Sequence, residues 1–146
     1  MTLISPIGTS ATEGGTPAIL IADDSPTNVF VLAAMLRALG HASISAVDGA
    51  EAVRMAAECR PALILMDLQM PRMDGIAAAG RIRHGFGTGE WGALRPAIVA
   101  VTALADVRSR ADFHLAGFDD VLLKPIELRE VRAMVERWLP GPRAPA

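Results

Sequence analysis

Short runs of apolar residues alternate along this chain with segments whose apolar positions recur at helical spacing. The first run, Ala18–Ala22, ends on two aspartates, and Ser25-Pro26 then forms a typical helix start, an N-cap followed by proline. This order of strand and helix occurs five times. The predicted strands are 18–22, 42–47, a run around Leu65, 96–101 and 121–123, and the predicted helices are 26–39, 50–58, 75–83, 106–115 and 126–139.

Such an alternation predicts an α/β fold, in which a five-stranded parallel sheet is covered on both faces by helices that form right-handed crossovers. The predicted domain covers residues 17–139. Residues 1–16 are rich in Ser, Thr and Gly and lack periodicity, so we interpret them as a flexible leader. Residues 140–146 contain three prolines, cannot continue the last helix and are interpreted as a disordered tail.

The segment between the third helix and the fourth strand is rich in glycine. Residues 84–95 are predicted to form a long loop, to which the sequence assigns no function. Gly87–Gly92 has the glycine spacing of a dinucleotide-binding turn, but it follows a helix and precedes a strand, which is the wrong context. The charged residues just before it, Arg81, Arg83 and His84, are interpreted as a solvated helix end.

Composition narrows the class of protein. The chain has 146 residues, of which 51% are hydrophobic and 21% charged, values typical of one compact domain. A net charge of −2 gives no electrostatic case for a nucleic-acid binder. One cysteine, Cys59, excludes an internal disulfide, and no apolar run approaches the 18 or so residues of a membrane span. Without a signal peptide either, the predicted location is the cytoplasm.

Polar side chains gather at the predicted strand ends. The apolar run Leu63–Met66 ends on Asp67, and the first strand ends on Asp23 and Asp24. The fourth and fifth strands are followed by Thr102 and Lys124 respectively. Because the carboxyl ends of parallel strands share one edge of a sheet, where α/β proteins bind ligands, these groups are expected to form one site.

Three clustered carboxylates repel one another. Two unit charges 4 Å apart cost about 4 kcal/mol at an effective dielectric constant near 20. Mg²⁺ prefers such oxygen ligands and would relieve the repulsion. Together with Lys124 it would neutralise the site and receive a phosphoryl group, with Thr102 as a hydroxyl donor and Asp67, which stands alone at the central strand, as the nucleophile.

The chain resembles the receiver domain of two-component response regulators over roughly residues 17–139. The resemblance rests on four motifs in the expected order. The sequence around the central aspartate is most similar to that of receivers found in hybrid histidine kinases and their single-domain relatives. The motifs are Asp23-Asp24, Met66-Asp67-Leu-Gln-Met-Pro-Arg-Met-Asp-Gly75, Thr102-Ala103 and Lys124-Pro125.

The resemblance implies a flavodoxin-like (βα)5 fold and a role for each motif residue. Asp67 would accept phosphate from a phosphohistidine of a histidine kinase or phosphotransfer protein. Mg²⁺ would be bound by Asp23, Asp24, Asp67 and the main-chain carbonyl of Gln69. Thr102 and Lys124 would contact the phosphoryl group, and the Lys124-Pro125 peptide bond would be cis.

Two positions bear on alternative functions. The family often has an aromatic switch residue where this chain has Val121, so aromatic coupling to Thr102 is in question. A Mg²⁺-dependent aspartyl phosphatase would need a second acid two residues after the nucleophile, where this chain has Gln69. The predicted function is therefore a phosphoacceptor that switches protein partners and does not turn over external substrates. A phosphorylation-independent interaction domain is the other alternative.

Overall fold

A computed structural model describes residues 19–89, 95–103 and 110–139 of the chain. Five strands alternate with five helices through these residues. The strands are β1 (Ile19–Ala22), β2 (Ser43–Ala46), β3 (Leu63–Asp67), β4 (Ala97–Thr102) and β5 (Asp120–Leu123). The helices are α1 (Pro26–Ala38), α2 (Gly49–Cys59), α3 (Gly75–Gly87), α4 (Arg110–Ala116) and α5 (Leu128–Trp138).

The five strands form one parallel sheet in the order β2-β1-β3-β4-β5. β3 lies in the centre, where Leu65 is in register with Ile21 of β1 and with Val99 of β4. All five residues of β3 are buried, as expected for a strand covered on both faces. The predicted α/β fold is confirmed, and its strand order is that of flavodoxin-like sheets.

Alternate residues of the strands contribute to two separate cores. Leu20, Ile64 and Ile98 face one core, which includes residues of α2, α3 and α4. Ile19, Leu63 and Val99 face the other core, which includes residues of α1 and α5. Helices therefore cover both faces of the sheet, and the three inner strands β1, β3 and β4 are buried along their whole length.

The third helix is longer than predicted. α3 continues to Gly87, four residues beyond Arg83, so the first part of the predicted loop 84–95 is helical. Phe86, 8% exposed, packs in the first core and explains the extension, because its burial offsets the low helix propensity of Gly85 and Gly87.

The interpretation of Arg83 as part of a solvated helix end was wrong. Its side chain is 17% exposed and forms an ion pair with Asp119 through Nη2. Nε and Nη1 donate to the carbonyl oxygens of Gly117 and Pro96, each at 2.8 Å. Arg83 thus connects α3 to the amino ends of β4 and β5.

Other differences are small. β2 is shorter by one residue at each end than predicted, and α5 begins at Leu128 rather than Ile126. The predicted leader and tail, the start of the predicted helix 106–115 and the centre of the loop 84–95 lie outside the described residues. Within the described ranges, every helix is too short or too polar to cross a lipid bilayer.

Candidate functional site

The end of β1 supplies two carboxylates in different environments. Asp23 is 3% exposed, and its main-chain N–H continues the sheet by donating to Ala46. Its Oδ1 accepts a hydrogen bond from the main-chain N–H of Ser25 at 2.9 Å, which orients the carboxylate. Asp24, the next residue, is exposed. Ser25 caps α1 through its side chain, so the helix start holds both aspartates at the strand end.

Asp67 ends β3 beside this pair. It is 8% exposed, and its Oδ1 accepts a hydrogen bond from the main-chain N–H of Gln69 at 3.3 Å. Asp23, Asp24 and Asp67 each offer an oxygen, and these three oxygens lie within 4.8 Å of one another. The structure therefore brings together the three carboxylates that the sequence analysis selected.

The environment of Asp67 opposes its negative charge. Burial raises the pKa of Asp67, and the charges of Asp23 and Asp24 raise it further. The hydrogen bond from Gln69 and the charge of Lys124 act in the opposite direction and are outweighed. Asp67 is thus a carboxylate whose ionised form would be stabilised by an added positive charge.

Lys124 lies at the same edge, directly after β5. Its Nζ is 3.7 Å from Oδ2 of Asp67, and its side chain is 31% exposed. The main-chain N–H of Lys124 donates to the carbonyl oxygen of Thr102, which fixes the lysine at the strand end. The Lys124-Pro125 peptide bond is cis, the conformation that the resemblance implied.

Thr102 is the last residue of β4 and is 1% exposed. Its hydroxyl lies 3.4 Å from the carbonyl oxygen of Ala103, a weak interaction at most. The register pairs Ala100 with Val121 and Thr102 with Leu123, so Thr102 and Val121 lie on the same face of the sheet. Val121 is half-buried against the first core.

The loop after Asp67 returns closely to β3. The main-chain N–H of Gly75 donates to the carbonyl oxygen of Leu68 at 2.9 Å. A Cβ atom on Gly75 would lie only 2.3 Å from the carbonyl oxygen of Asp67, so this position requires glycine. Gln69 is exposed on this loop, two residues after Asp67.

The donor set fits a hard divalent cation. Its ligand atoms are carboxylate oxygens, and the exposure of Asp24 leaves an open side for water or a ligand. Lys124 compensates one of the three negative charges, so a divalent cation would bring the site to neutrality. Without such an ion the buried Asp23 and Asp67 repel each other.

The sequence pattern of the response regulator receiver domain matches residues 19–136. The chain belongs to the response regulator receiver domain family. Receiver domains are phosphoacceptor signalling modules rather than classical enzymes. In this chain the three carboxylates, Thr102 and Lys124 lie at the carboxyl edge of the sheet.

Known proteins agree with this assignment. The sensor histidine kinase GacS of Pseudomonas protegens is 36% identical over 84% of this chain, which corresponds to 13% of that kinase. A receiver domain of a sensor histidine kinase from Pseudomonas aeruginosa, with magnesium coordinated in its active-site cleft, is 36% identical with a TM-score of 0.72, over 85% of this chain and 98% of that one. The Ssk1 receiver domain of Saccharomyces cerevisiae, in complex with the phosphotransfer protein Ypd1, is 32% identical with a TM-score of 0.71, over 84% of this chain and 90% of that one.

The chain spans only 13% to 16% of the length of the first histidine kinases that it matches. The similarity therefore concerns the receiver domain of those proteins.

One interaction beside the site was not anticipated from the sequence. Asp48, 4% exposed, caps α2 by accepting from the main-chain N–H of Glu51, and its other oxygen accepts from Nε of Arg72 at 2.8 Å. The sequence indicated only the turn at Asp48-Gly49. Arg72 is 24 positions away, and no local pattern connects the two residues.

Proposed function

We propose that Asp67 accepts a phosphoryl group from a phosphohistidine of a histidine kinase or a histidine phosphotransfer protein. The observation that carries this proposal is the cluster of three carboxylates within 4.8 Å, with Nζ of Lys124 3.7 Å from Asp67. Such an arrangement combines a nucleophilic oxygen, a cation-binding set and a fixed positive charge. All three are what phosphoryl transfer requires.

Asp23, Asp24, Asp67 and the main-chain carbonyl of Gln69 would hold Mg²⁺. The ion, when bound, would neutralise phosphoryl oxygens and lower the repulsion between nucleophile and phosphate. Ser25 keeps Asp23 oriented through its N–H, and the hydrogen bond from the N–H of Gln69 keeps Asp67 oriented. A relative with magnesium in its active-site cleft supports this assignment.

In the transfer step, a carboxylate oxygen of Asp67 forms a bond to phosphorus while the bond from phosphorus to the imidazole nitrogen of the donor breaks. The bonding electron pair stays on that nitrogen. Lys124 would pair with one phosphoryl oxygen, and the hydroxyl of Thr102 would donate to another. Attack of water on phosphorus would break its bond to the Asp67 oxygen and release inorganic phosphate. Asp67 would then be a carboxylate again, so the protein would also take part in its own dephosphorylation.

The exposed face of α1 is the proposed docking surface for the phosphodonor. α1 begins at Pro26, two residues after Asp24, so its first turn borders the site. Phe30 is 73% exposed and Val31 41% exposed, so this helix offers apolar surface to a partner. The complex of the Ssk1 receiver with Ypd1, a relative at 32% identity, supports a phosphotransfer protein as partner.

Phosphorylation would then select one arrangement of the segments after β3 and β4, and a downstream protein would bind that arrangement. Thr102 would carry the change, since it ends β4. Val121 lies on the same face but has no aromatic ring to rotate, so the readout proposed here depends on Thr102 and Lys124.

We propose a protein rather than nucleic acid as the target, because the net charge is −2. The proposed location is the cytoplasm, where the free thiol of Cys59 would stay reduced.

Turnover of external phosphate esters is not part of the proposal. Gln69 stands where an aspartyl phosphatase would need its second acid, and an amide cannot protonate a leaving group.

The test is the intact mass of the protein after incubation with acetyl phosphate, with and without Mg²⁺. We expect a gain of one phosphoryl group that requires Mg²⁺ and is lost in Asp67→Asn. Asp74→Asn is the matched control, because Asp74 is an exposed aspartate on the same loop that only caps α3. Two results would contradict the proposal. The first is phosphorylation of Asp67→Asn. The second is a native chain that acetyl phosphate and a phosphohistidine donor both fail to phosphorylate. The second result would favour an interaction domain without phosphorylation.

A further inference from the structure

The tip of the loop between β3 and α3 is anchored to the start of α2. Nε of Arg72 donates to Oδ2 of Asp48 at 2.8 Å, and Nη2 of Arg72 contacts the same oxygen. The Asp48 side chain is 6% exposed, whereas that of Arg72 is 68% exposed. The pKa of Asp48 is lowered, first by the hydrogen bond from Glu51 and then by Arg72, so Asp48 is charged at neutral pH. The contact is therefore a charged, two-donor interaction.

The backbone at Arg72 is strained. Its φ is +66°, in the left-handed region that residues other than glycine seldom adopt. The main-chain N–H of Met73 donates to the carbonyl oxygen of Pro71 at 2.6 Å, which closes a three-residue turn with Arg72 at its centre. Turns of this kind with positive φ are rare. Strain of this sort persists only where surrounding contacts hold it, and the ion pair with Asp48 is such a contact.

A second contact joins the same two segments. Gly49, the first residue of α2, lies so close to Met73 that a Cβ atom would be 2.0 Å from its carbonyl oxygen. At the base of the loop, Gly75 donates to Leu68. The loop is thus held at its tip by α2 and at its base by β3, and Gln69 lies between these two points.

We propose that Arg72 and Asp48 are positioning residues for the cation site. They hold the loop in the conformation that presents the main-chain carbonyl of Gln69 to the metal. This inference rests on the proposed function, because it assumes that Mg²⁺ binds to the carboxylate cluster. Neither residue belongs to that cluster.

A purely electrostatic effect would have a different signature. Removing the positive charge of Arg72 would strengthen the binding of a cation nearby, and removing the negative charge of Asp48 would weaken it. Loss of positioning weakens binding in both cases. The effect of Arg72→Ala therefore distinguishes the two explanations: tighter Mg²⁺ binding indicates electrostatics, and weaker binding indicates positioning.

The experiment is a titration of Mg²⁺ by calorimetry at pH 7.5, at a temperature where each variant is folded. The variants are Arg72→Ala, Asp48→Ser and the double substitution. Serine at position 48 preserves an N-cap for α2. Arg54→Ala is the matched control, because Arg54 is an exposed arginine on α2 whose ion pairs, within the described part of the chain, are with Glu51 and Glu58 of the same helix.

We expect Arg72→Ala and Asp48→Ser each to weaken Mg²⁺ binding by about tenfold, the lower end of the range for residues that orient metal ligands. The double variant should bind Mg²⁺ at least as tightly as the single variant with the lower affinity, because each substitution removes the same contact between Arg72 and Asp48. Arg54→Ala should bind as the native chain does. Arg72→Lys should recover part of the affinity.

Unchanged or tighter binding by Arg72→Ala, in a protein whose native form binds Mg²⁺, would overturn the positioning role and leave the proposed function intact. Arg72→Ala decides this even if Asp48→Ser fails to fold, because the arginine side chain is mostly exposed. If the native chain itself bound no Mg²⁺ while Asp67 still became phosphorylated by a protein donor, the metal site and this inference would both fall.

Discussion

Asp67 shows at the scale of a single residue how the proposed function opposes stability. Its carboxylate is buried beside Asp23 and Asp24, and both burial and the neighbouring charges raise its pKa. A side chain chosen for stability alone would be neutral here. The proposed roles of nucleophile and metal ligand nevertheless require the ionised form.

We predict that Asp67→Asn is more stable than the native chain at neutral pH in EDTA. Because the folded pKa is raised, the stabilising effect of protonation is present below the pKa of the unfolded chain and is lost as pH rises through the folded pKa. Asparagine removes this loss and still accepts from Gln69. Thermal unfolding should shift upward by about 2 to 4 °C at pH 8, as for roughly 1 kcal/mol in a domain of this size.

The difference should shrink as pH is lowered, because the native carboxyl then becomes neutral too. Mg²⁺ should reverse it by stabilising the native chain more than the variant. Asp74→Asn, which changes an exposed aspartate of the same loop, serves as the control. If Asp67→Asn were less stable than the native chain at pH 8, the favourable effect of Lys124 on the charge of Asp67 would outweigh the unfavourable effects of burial and of the two aspartates.

At the scale of elements, the start of α3 is constrained by its approach to β3. Gly75 has no room for a Cβ atom, which would lie 2.3 Å from the carbonyl oxygen of Asp67 and 2.9 Å from the Cα atom of Leu68. Gly80, in the same helix, has no atom within 4 Å of the same position. The two glycines thus have opposite roles: one is required by packing, and the other is a replaceable helix residue.

We predict that Gly75→Ala lowers the free energy of unfolding by about 1 to 3 kcal/mol, because the backbone of β3 or of the loop must shift. Gly80→Ala should raise it by about 0.5 to 1 kcal/mol, as alanine favours a helix more than glycine does. Urea unfolding followed by circular dichroism measures both. Equal effects of the two substitutions would mean that α3 moves away from β3 without cost.

At the scale of the whole molecule, the end of the sheet opposite to the site is held by a buried ion pair. Arg83 and Asp119 are 17% and 9% exposed at their side chains, and they join α3 to the segment before β5. Asp119 also accepts from the main-chain N–H of Ile98 at 2.9 Å, and Arg95 contacts its other oxygen. These contacts connect the amino ends of β4 and β5, whereas the carboxylate cluster lies at the opposite edge of the sheet.

We predict that Arg83→Ala lowers the free energy of unfolding by about 3 kcal/mol, since it leaves Asp119 buried without its main partner. Arg95→Ala should cost less than about 1 kcal/mol, because Arg95 is 59% exposed at its side chain and is screened by water. Urea unfolding of both variants provides the comparison, with Asp119 as their common partner. If Arg95→Ala lowered the free energy of unfolding as much as Arg83→Ala, the difference in burial between the two arginines would not explain their contributions.

The fold and the carboxylate cluster were predictable from the sequence because both depend on local patterns. Apolar runs indicated the strands, and their last residues indicated which side chains share an edge of the sheet. Asp23, Asp67 and Lys124 lie together for this reason. The end of α3 was not predictable in this way, since Phe86 gains its burial only from the assembled core.

By itself, the sequence determined the order of the elements, the parallel sheet and the residues at its carboxyl edge. Only the tertiary structure decided the pairings of Arg83 with Asp119 and of Arg72 with Asp48, whose partners are 36 and 24 positions apart. The physical reason is one of range. Periodicity and turn chemistry act between neighbours along the chain, whereas a charge is buried or solvated according to what packing places beside it.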